Sequence, residues 1–338
     1  MLRDVVDRDS SLHHVRQYCV VTKIVVTRPV HEDALALLRP RADVVVLPGE
    51  PPLPTPEEVA AAIRDADIVY TLAANPITGG AIRGAPRLKL IASLATGYDN
   101  IDVAAARERG VAVTFAPGIL DETTADGAFA LLLAAARRLG EAERYLRAGK
   151  FRGWTPFLFL GHDVHDATLG IVGMGRIGRA VARRAQGFSM RLLYTDARRN
   201  EDAERELGAR FVTMDELLRE SDFVSLHVPL LPETHHLIDA AAMRKMKRTA
   251  VLVNSSRGPV IDEHALAEAL RDGIIAGAGL DVFEREPEVD ALLLAQENAV
   301  LLPHIASASE GTRRRMAMRA AANILAFLDG KPLLDPVP

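Results

Sequence analysis

The chain has 338 residues, of which 49% are hydrophobic and 25% charged, with a formal net charge of -4. This is an ordinary globular composition, long enough for two domains, and its charge argues against nucleic acid as a partner. A single cysteine, Cys19, excludes an internal disulfide framework and fits a cytoplasmic, reducing setting, while the apolar run 127–136 ends at Arg137, too short to span a membrane. The first 22 residues mix acids and bases without an apolar segment. They read as an N-terminal extension rather than a secretory signal, with His13 and His14 as solvated tail. Strand patterns then begin at KIVVT (23–27) and continue with DVVVL (43–47), DIVYT (67–71), KLIAS (89–93) and VAVTF (111–115). Helical patterns lie between them, as in EDALALLR (32–39) and PEEVAAAIRDA (56–66).

A second strand series follows: ATLGIVG (167–173), RLLYT (191–195), FVSLHV (223–228), TAVLVN (249–254), IIAGAGL (274–280) and AVLLP (299–303). Strand–helix alternation of this kind predicts right-handed βαβ units, hence two doubly wound parallel-sheet α/β domains with a site in the cleft between them. Residues 121–150 predict one long joining helix, capped by Thr123 or Thr124. Residues 311–330 predict a last amphipathic helix ended by Gly330. A lone helix forms no core, so it is expected to pack back on the first unit. The predicted division is 1–22 extension, 23–119 with 306–338 as one discontinuous domain, and 120–305 as the second.

The segment LGIVGMGRIGRAVARRA holds Gly173, Gly175 and Gly178 as G-x-G-x-x-G, between a buried strand and a helix. Gly173 allows the tight turn, Gly175 lets backbone approach a pyrophosphate, and Gly178 lets helix and strand pack closely. Arg176 and Ile177 open that helix, whose N-terminal amides suit phosphate, and fall within the same expected cofactor site. The next strand ends at Asp196, 18 residues beyond Gly178, where an acid can hold ribose hydroxyls. The segment reads YTDARRN, so Arg198 and Arg199 oppose Asp196 by favouring an extra phosphate.

Three further strand ends carry charge where open α/β sheets bind ligands. Arg257 follows 249–254, Asp281 and Glu286 follow 274–280, and His304 follows 299–303. Taken singly, each has a bland reading as a surface or loop residue; their convergence on one sheet edge beside a dinucleotide motif points to chemistry.

These pieces resemble the D-isomer-specific 2-hydroxyacid dehydrogenase family from residue 23 to about 330. The resemblance is carried by ATGYDNID (95–102), LGIVGMGRIG (169–178), NSSRG (254–258), GAGLDVFEREP (277–287) and LPHIASAS (302–309). The segment RGWTPFLFLGHDV (152–164), DETTAD and the 18-residue interval from Glu286 to His304 resemble its glyoxylate/hydroxypyruvate reductase branch. The resemblance implies NAD(P)H-dependent reduction of a small 2-keto acid, with His304 as proton donor, Glu286 orienting it and Arg257 gripping the carboxylate. An imidazole suits such proton transfer near neutral pH, and a guanidinium fork suits paired oxygens. The first domain would complete the substrate site with backbone amides of Ala95, Thr96 and Gly97, and with Leu72 over the substrate.

The resemblance also implies cofactor contacts from Thr124, from Val228, Pro229 and Thr234 in HVPLLPET, and from Ser255, Ser256, Asp281 and Ala306. Trp154 lies in an aromatic segment that crosses to a partner subunit in relatives, so a homodimer is expected, with Trp154, Phe157 and Phe159 near a substrate pocket. His162 and His165 lack companions, and no metal site is expected. Ala306 departs from the family's usual glycine; its methyl is expected to tighten the pocket beside the nicotinamide amide. Asp196 at a strand end is better aimed than arginines in the following loop, so NADH is expected to be preferred and NADPH used weakly. Two alternatives share the scaffold: a phosphite dehydrogenase, disfavoured because Ala95-Thr96 supply no lysine, and a dinucleotide-sensing corepressor, disfavoured because no long tail follows the last helix.

Overall fold

The computed structural model describes residues 21–50, 53–73 and 75–338. Cys19, His13 and His14 lie outside the described residues. The first sheet contains β1 (Lys23–Val26), β2 (Asp43–Val46), β3 (Ile68–Thr71), β4 (Leu90–Ser93) and β5 (Ala112–Thr114). All are parallel, in the order β2-β1-β3-β4-β5. Its crossovers carry α1 (Glu32–Leu38), α2 (Pro56–Ala62), α3 (Gly79–Arg83) and α4 (Val103–Glu108). Local chemistry sets their starts. Thr55 caps α2 in a reciprocal box with Glu58, and Pro56 fits the first helical position.

The joining segment forms two helices rather than one, α5 (Asp121–Ala136) and α6 (Leu139–Arg147). The break falls at Arg138, whose φ of 54° is left-handed and cannot continue a helix. Neither threonine caps α5: it begins after Leu120, and Thr124 lies inside it with its side chain buried. Glu122 and Asp126 instead lash α5 to a neighbouring helix through Arg183 and Arg184.

The second series runs β6 (Thr168–Val172), α7 (Arg176–Gln186), β7 (Arg191–Thr195), α8 (Glu201–Leu207), β8 (Arg210–Phe211), α9 (Met214–Glu220) and β9 (Phe223–Leu226). It continues with α10 (Ala240–Met243), β10 (Val251–Asn254), α11 (Glu263–Arg271), β11 (Gly277–Leu280), α12 (Ala291–Leu294) and β12 (Ala299–Leu301). These seven strands are parallel, in the order β12-β11-β10-β9-β6-β7-β8. Strands such as β9 and β10 are buried along their whole length, which explains their unbroken apolar runs. By contrast β2, an edge strand, alternates between exposed and half-buried residues. Strand β8 has two residues, too short to leave a pattern in the sequence.

The last helix, α13 (Glu310–Leu328), returns to the first sheet. Its Met316, Ala317, Ala320, Ala321 and Ile324 share a core with Ile24, Val26, Ile68, Tyr70, Leu90 and Ala92. The Tyr70 hydroxyl donates to the Ala317 carbonyl at 2.9 Å, satisfying the one polar atom of a buried ring. Among the described residues no helix is long and apolar enough to cross a membrane.

Candidate active site

The strand order of the second sheet reverses between β6 and β9, the position where open α/β sheets hold ligands at the carboxyl ends of their strands. There β6 runs into Gly173, whose φ is +95°. A side chain at Gly178 would start 2.1 Å from the Gly173 carbonyl, so this glycine lets α7 lie against the turn. At Gly175 a side chain would project into open space, where a pyrophosphate could lie. Helix α7 starts there without a side-chain cap, leaving its first amides for an anion. The hydroxyls of Thr124 and Ser255 are buried without a hydrogen-bond partner. Such orphaned buried hydroxyls fit a nicotinamide dinucleotide as their partner.

Other predicted cofactor residues take different places. The side chain of Val228 lies over the Gly173 turn, 3.0 Å from the position of a Cβ there. The Thr234 hydroxyl donates to the Pro229 carbonyl at 2.6 Å and accepts from the Leu231 amide at 2.8 Å, so it shapes its own loop. Arg176 pairs with Asp121 at 3.2 Å, and Ile177 packs on the core of the first sheet; both tie α7 to other elements rather than presenting free side chains. Burial pushes the Asp121 carboxyl above its ordinary value although Arg176 opposes it. Ser256 is taken up by Asn254, which accepts from both its amide and its hydroxyl.

At the adenosine end, Met174, Asp196, Arg198, Arg199 and Asn200 line an open depression. One Asp196 oxygen accepts from the Met174 amide at 2.7 Å and the other from the Arg198 amide at 3.3 Å. Asp196 therefore also holds the glycine turn. Arg199 is bound by Glu204 through two hydrogen bonds, at 2.7 and 2.6 Å. Those bonds and one from Tyr194 pull the Glu204 carboxyl down to about 2. Arg198 is exposed, and among the described residues its guanidinium has no ion-pair partner.

The catalytic candidates converge at the other end of the same edge. His304 Nδ1 lies 2.9 Å from Glu286 Oε2, leaving Nε2 free. Burial pushes the Glu286 carboxyl up, but the hydrogen bond and charge of His304, the Phe283 amide and Arg257 outweigh it and hold the group below its ordinary value. His304 itself has φ +57°, a conformation seldom adopted by non-glycine residues. Asp281 explains how this turn is held. Its two oxygens accept from the Ile305 and Ala306 amides at 2.6 and 2.8 Å. Asp281 thus braces the histidine turn. Burial pushes its carboxyl above its ordinary value, against the pull of those two amides.

Arg257 stands on a turn shaped by Asn254, whose side-chain amide donates to the Arg257 carbonyl at 2.8 Å. Gly258 lets that turn press on the loop bearing Glu286: a Cβ there would fall 1.9 Å from the Phe283 carbonyl. Glu263 pins the same loop, accepting from the Glu284 and Asp290 amides at 2.6 and 2.7 Å. Sequence reasoning passed over Asn254, Gly258 and Glu263, although the first two lie inside the NSSRG motif.

The first sheet contributes the loop after β4. The Ala95 amide is already bonded to Ser93 Oγ at 3.1 Å, so the expected cradle narrows to two residues. The Thr96 and Gly97 amides have no acceptor among the described residues. Gly97 is small for Arg257: a Cβ there would lie 1.8 Å from Arg257 Nη2. Arg257 also meets Asp99, a residue the sequence reading left unassigned, with Nη2 2.9 Å from Oδ1. Leu72 follows β3, with its carbonyl bonded by Asn100 at 3.0 Å.

The Ala306 methyl faces Gly127 of α5, 2.9 Å from the position of a Cβ there, so it fills space left by a glycine. Phe159 packs edge-on against Tyr145 at 5.1 Å, with Arg138 over its ring, and so belongs to α6 rather than to the substrate cleft. Trp154 and Phe157, 82% and 80% exposed, point to solvent.

Residues 129–306 match the family described as D-isomer specific 2-hydroxyacid dehydrogenase, NAD binding domain. The chain is 53% identical over 311 residues to a glyoxylate reductase of Korarchaeum cryptofilum (strain OPF8), covering 91% of this chain and 93% of that protein. Among solved structures, the TT0316 protein of Thermus thermophilus superposes with a TM-score of 0.87 at 44% identity, over 94% of this chain and 100% of that one. An NADPH-dependent glyoxylate/hydroxypyruvate reductase of Sinorhizobium meliloti, solved with NADP and malonate, gives a TM-score of 0.83 at 34% identity, over 94% and 96%. The chain belongs to the D-isomer-specific 2-hydroxyacid dehydrogenase family.

Proposed function

We propose that the protein reduces a small 2-keto acid, glyoxylate or hydroxypyruvate, to the D-2-hydroxy acid. The observation that carries this reading is the 2.9 Å pair of His304 with Glu286, on the same sheet edge as Arg257. A bound nicotinamide cofactor would supply the hydride. His304, its Nδ1 engaged by Glu286, would give a proton from Nε2 to the keto oxygen. Arg257 would hold the substrate carboxylate, with the Thr96 and Gly97 amides beside it. The division of labour assigns 23–119 and 306–338 to substrate and 120–305 to the dinucleotide, with 1–22 as an extension.

The names of the Korarchaeum and Sinorhizobium relatives support glyoxylate and hydroxypyruvate as substrates. For the cofactor, the reading is NADH first and NADPH weakly. Asp196 sets a negative charge at the strand end, and Glu204 neutralises Arg199, leaving Arg198 to attract a 2′-phosphate. The Sinorhizobium relative uses NADPH, so this end of the site is where the two proteins would differ. The exposed arm around Trp154 supports a homodimer in which it is covered by a second copy. The single cysteine supports a reducing, cytoplasmic setting. Loss of reduced-nicotinamide absorbance on adding glyoxylate or hydroxypyruvate tests the activity. No oxidation with any 2-keto acid, under either cofactor, sinks it.

A further inference from the structure

We propose that Asp99 is a positioning residue for keto-acid binding: it holds one edge of the Arg257 guanidinium across the cleft, so that the opposite edge faces the substrate carboxylate. This rests on reading Arg257 as the carboxylate anchor. Arg257 follows β10 of the second sheet and Asp99 follows β4 of the first, 158 residues away in sequence.

A guanidinium has five N–H groups in one plane. Arg257 Nε donates to Asp99 Oδ1 and Oδ2 at 3.0 and 3.1 Å, and Nη2 donates to Oδ1 at 2.9 Å. Those bonds occupy the side edge of the fork. Nη1 donates once more, to the Ser256 carbonyl at 2.8 Å. Three of the five N–H groups are then engaged. One remains on Nη1 and one on Nη2, the pair that makes the end edge of the fork. That edge offers two parallel donors, the arrangement a carboxylate takes up best. Without Asp99 the long side chain could turn either edge to the cleft, and ordering it would oppose binding.

Asp99 is itself well placed to act as a brace. Its neighbour Asn100 donates to the Leu72 and Asn75 carbonyls at 3.0 and 2.7 Å, tying this loop to the one after β3. Asp102 caps α4 just beyond, accepting from the Ala105 amide at 2.9 Å. On the other side, Gly97 brings the first-sheet backbone against Nη2. The arginine is therefore fixed by the loop after β4, itself tied to the loop after β3, as well as by its own turn.

Oδ1 accepts from both Nε and Nη2, so an amide oxygen can do most of the bracing. This separates geometry from charge. Kinetics of the full-length chain with glyoxylate and with hydroxypyruvate provide the test. Asp99→Ala should raise KM for the keto acid roughly tenfold or more, with kcat within about threefold and KM for NADH unchanged, because a ground-state contact is lost. Asp99→Asn should restore KM to within about threefold of the parent, since one oxygen remains to accept. An unchanged KM in Asp99→Ala overturns the proposal. So does an Asp99→Asn variant as impaired as Asp99→Ala, which would assign the effect to charge. Should Asp99→Ala not fold, Asp99→Ser is read by the same criteria. A parent protein that turns over no 2-keto acid overturns the functional reading instead, which keeps the two failures distinct.

Discussion

The two ends of the ligand edge on the second sheet handle charge differently. At the catalytic end, two acids are locked to backbone: Asp281 to the histidine turn and Glu263 to the loop bearing Glu286. Glu286 in turn accepts from both the Phe283 amide and His304. At the adenosine end, one acid is tied to the glycine turn, one arginine is neutralised, and one arginine is exposed. Proton transfer needs atoms placed within a few tenths of an ångström, so its carboxylates are fixed by amides that cannot rotate away. Choosing between two nucleotides needs the sign of a charge near a ribose, and long exposed side chains suffice for that.

Substitutions at the two ends should therefore differ in size and in kind. The largest effect is expected for His304→Gln, which should lower kcat by about 100- to 10,000-fold. The dissociation constant for NADH, followed by nucleotide fluorescence, should stay near the parent value; surviving turnover would show that the proton donor lies elsewhere. Gly258→Ala comes next. Its methyl would meet the Phe283 carbonyl, and displacing either loop by about 1 Å should reduce kcat/KM about 100-fold. Retention of full activity would mean that the catalytic end is softer than the comparison holds.

At the adenosine end, Asp196→Ser should shift the NADPH-to-NADH ratio of kcat/KM roughly tenfold, equivalent to about 1.4 kcal/mol. It should also raise KM for both cofactors, because the bond to the Met174 amide is lost. An unchanged ratio would show that Asp196 holds the glycine turn alone and takes no part in selection.

The smallest effect concerns His227, just after β9, between the two ends. It is partly buried, its ring lies 2.8 Å from Ser225 Oγ, and burial pushes it down to about 4. The fold therefore favours the neutral ring, while the unfolded chain takes up a proton near pH 6.5. Its stabilisation is complete above that pH and is lost as pH falls from about 6.5 toward 4. At pH 5 the loss should be on the order of 1–2 kcal/mol. His227→Gln should flatten the fall in Tm between pH 7 and 5; an equal fall in both proteins would assign the acid sensitivity to other groups.

Much of this architecture was readable from local pattern. Continuous apolar runs marked buried strands, and the ends of the expected strands lie within three residues of the observed ones, while the short β8 left no signal. The joining helix shows where pattern failed. Ala and Leu persist on both sides of Arg138, so composition predicts one helix, and the left-handed turn there is invisible to propensity. Thr124 looked like a cap because threonine prefers that position; four residues into α5 it is a buried orphan hydroxyl.

What the sequence determined by itself was the set of candidate residues at each strand end: the glycine spacing, Asp196, and the trio Arg257, Glu286 and His304. Those signals are local, since a turn, a strand and the residue that follows it are neighbours along the chain. Only the tertiary structure decided which backbone meets which. It set Asp99 against Arg257, Gly258 against Phe283 and Gly127 against Ala306. It also gave Asp281 to the histidine turn. These are contacts between segments far apart in the chain, brought within bonding distance by the packing of strands, helices and their loops, and no periodicity in one segment carries the position of the other.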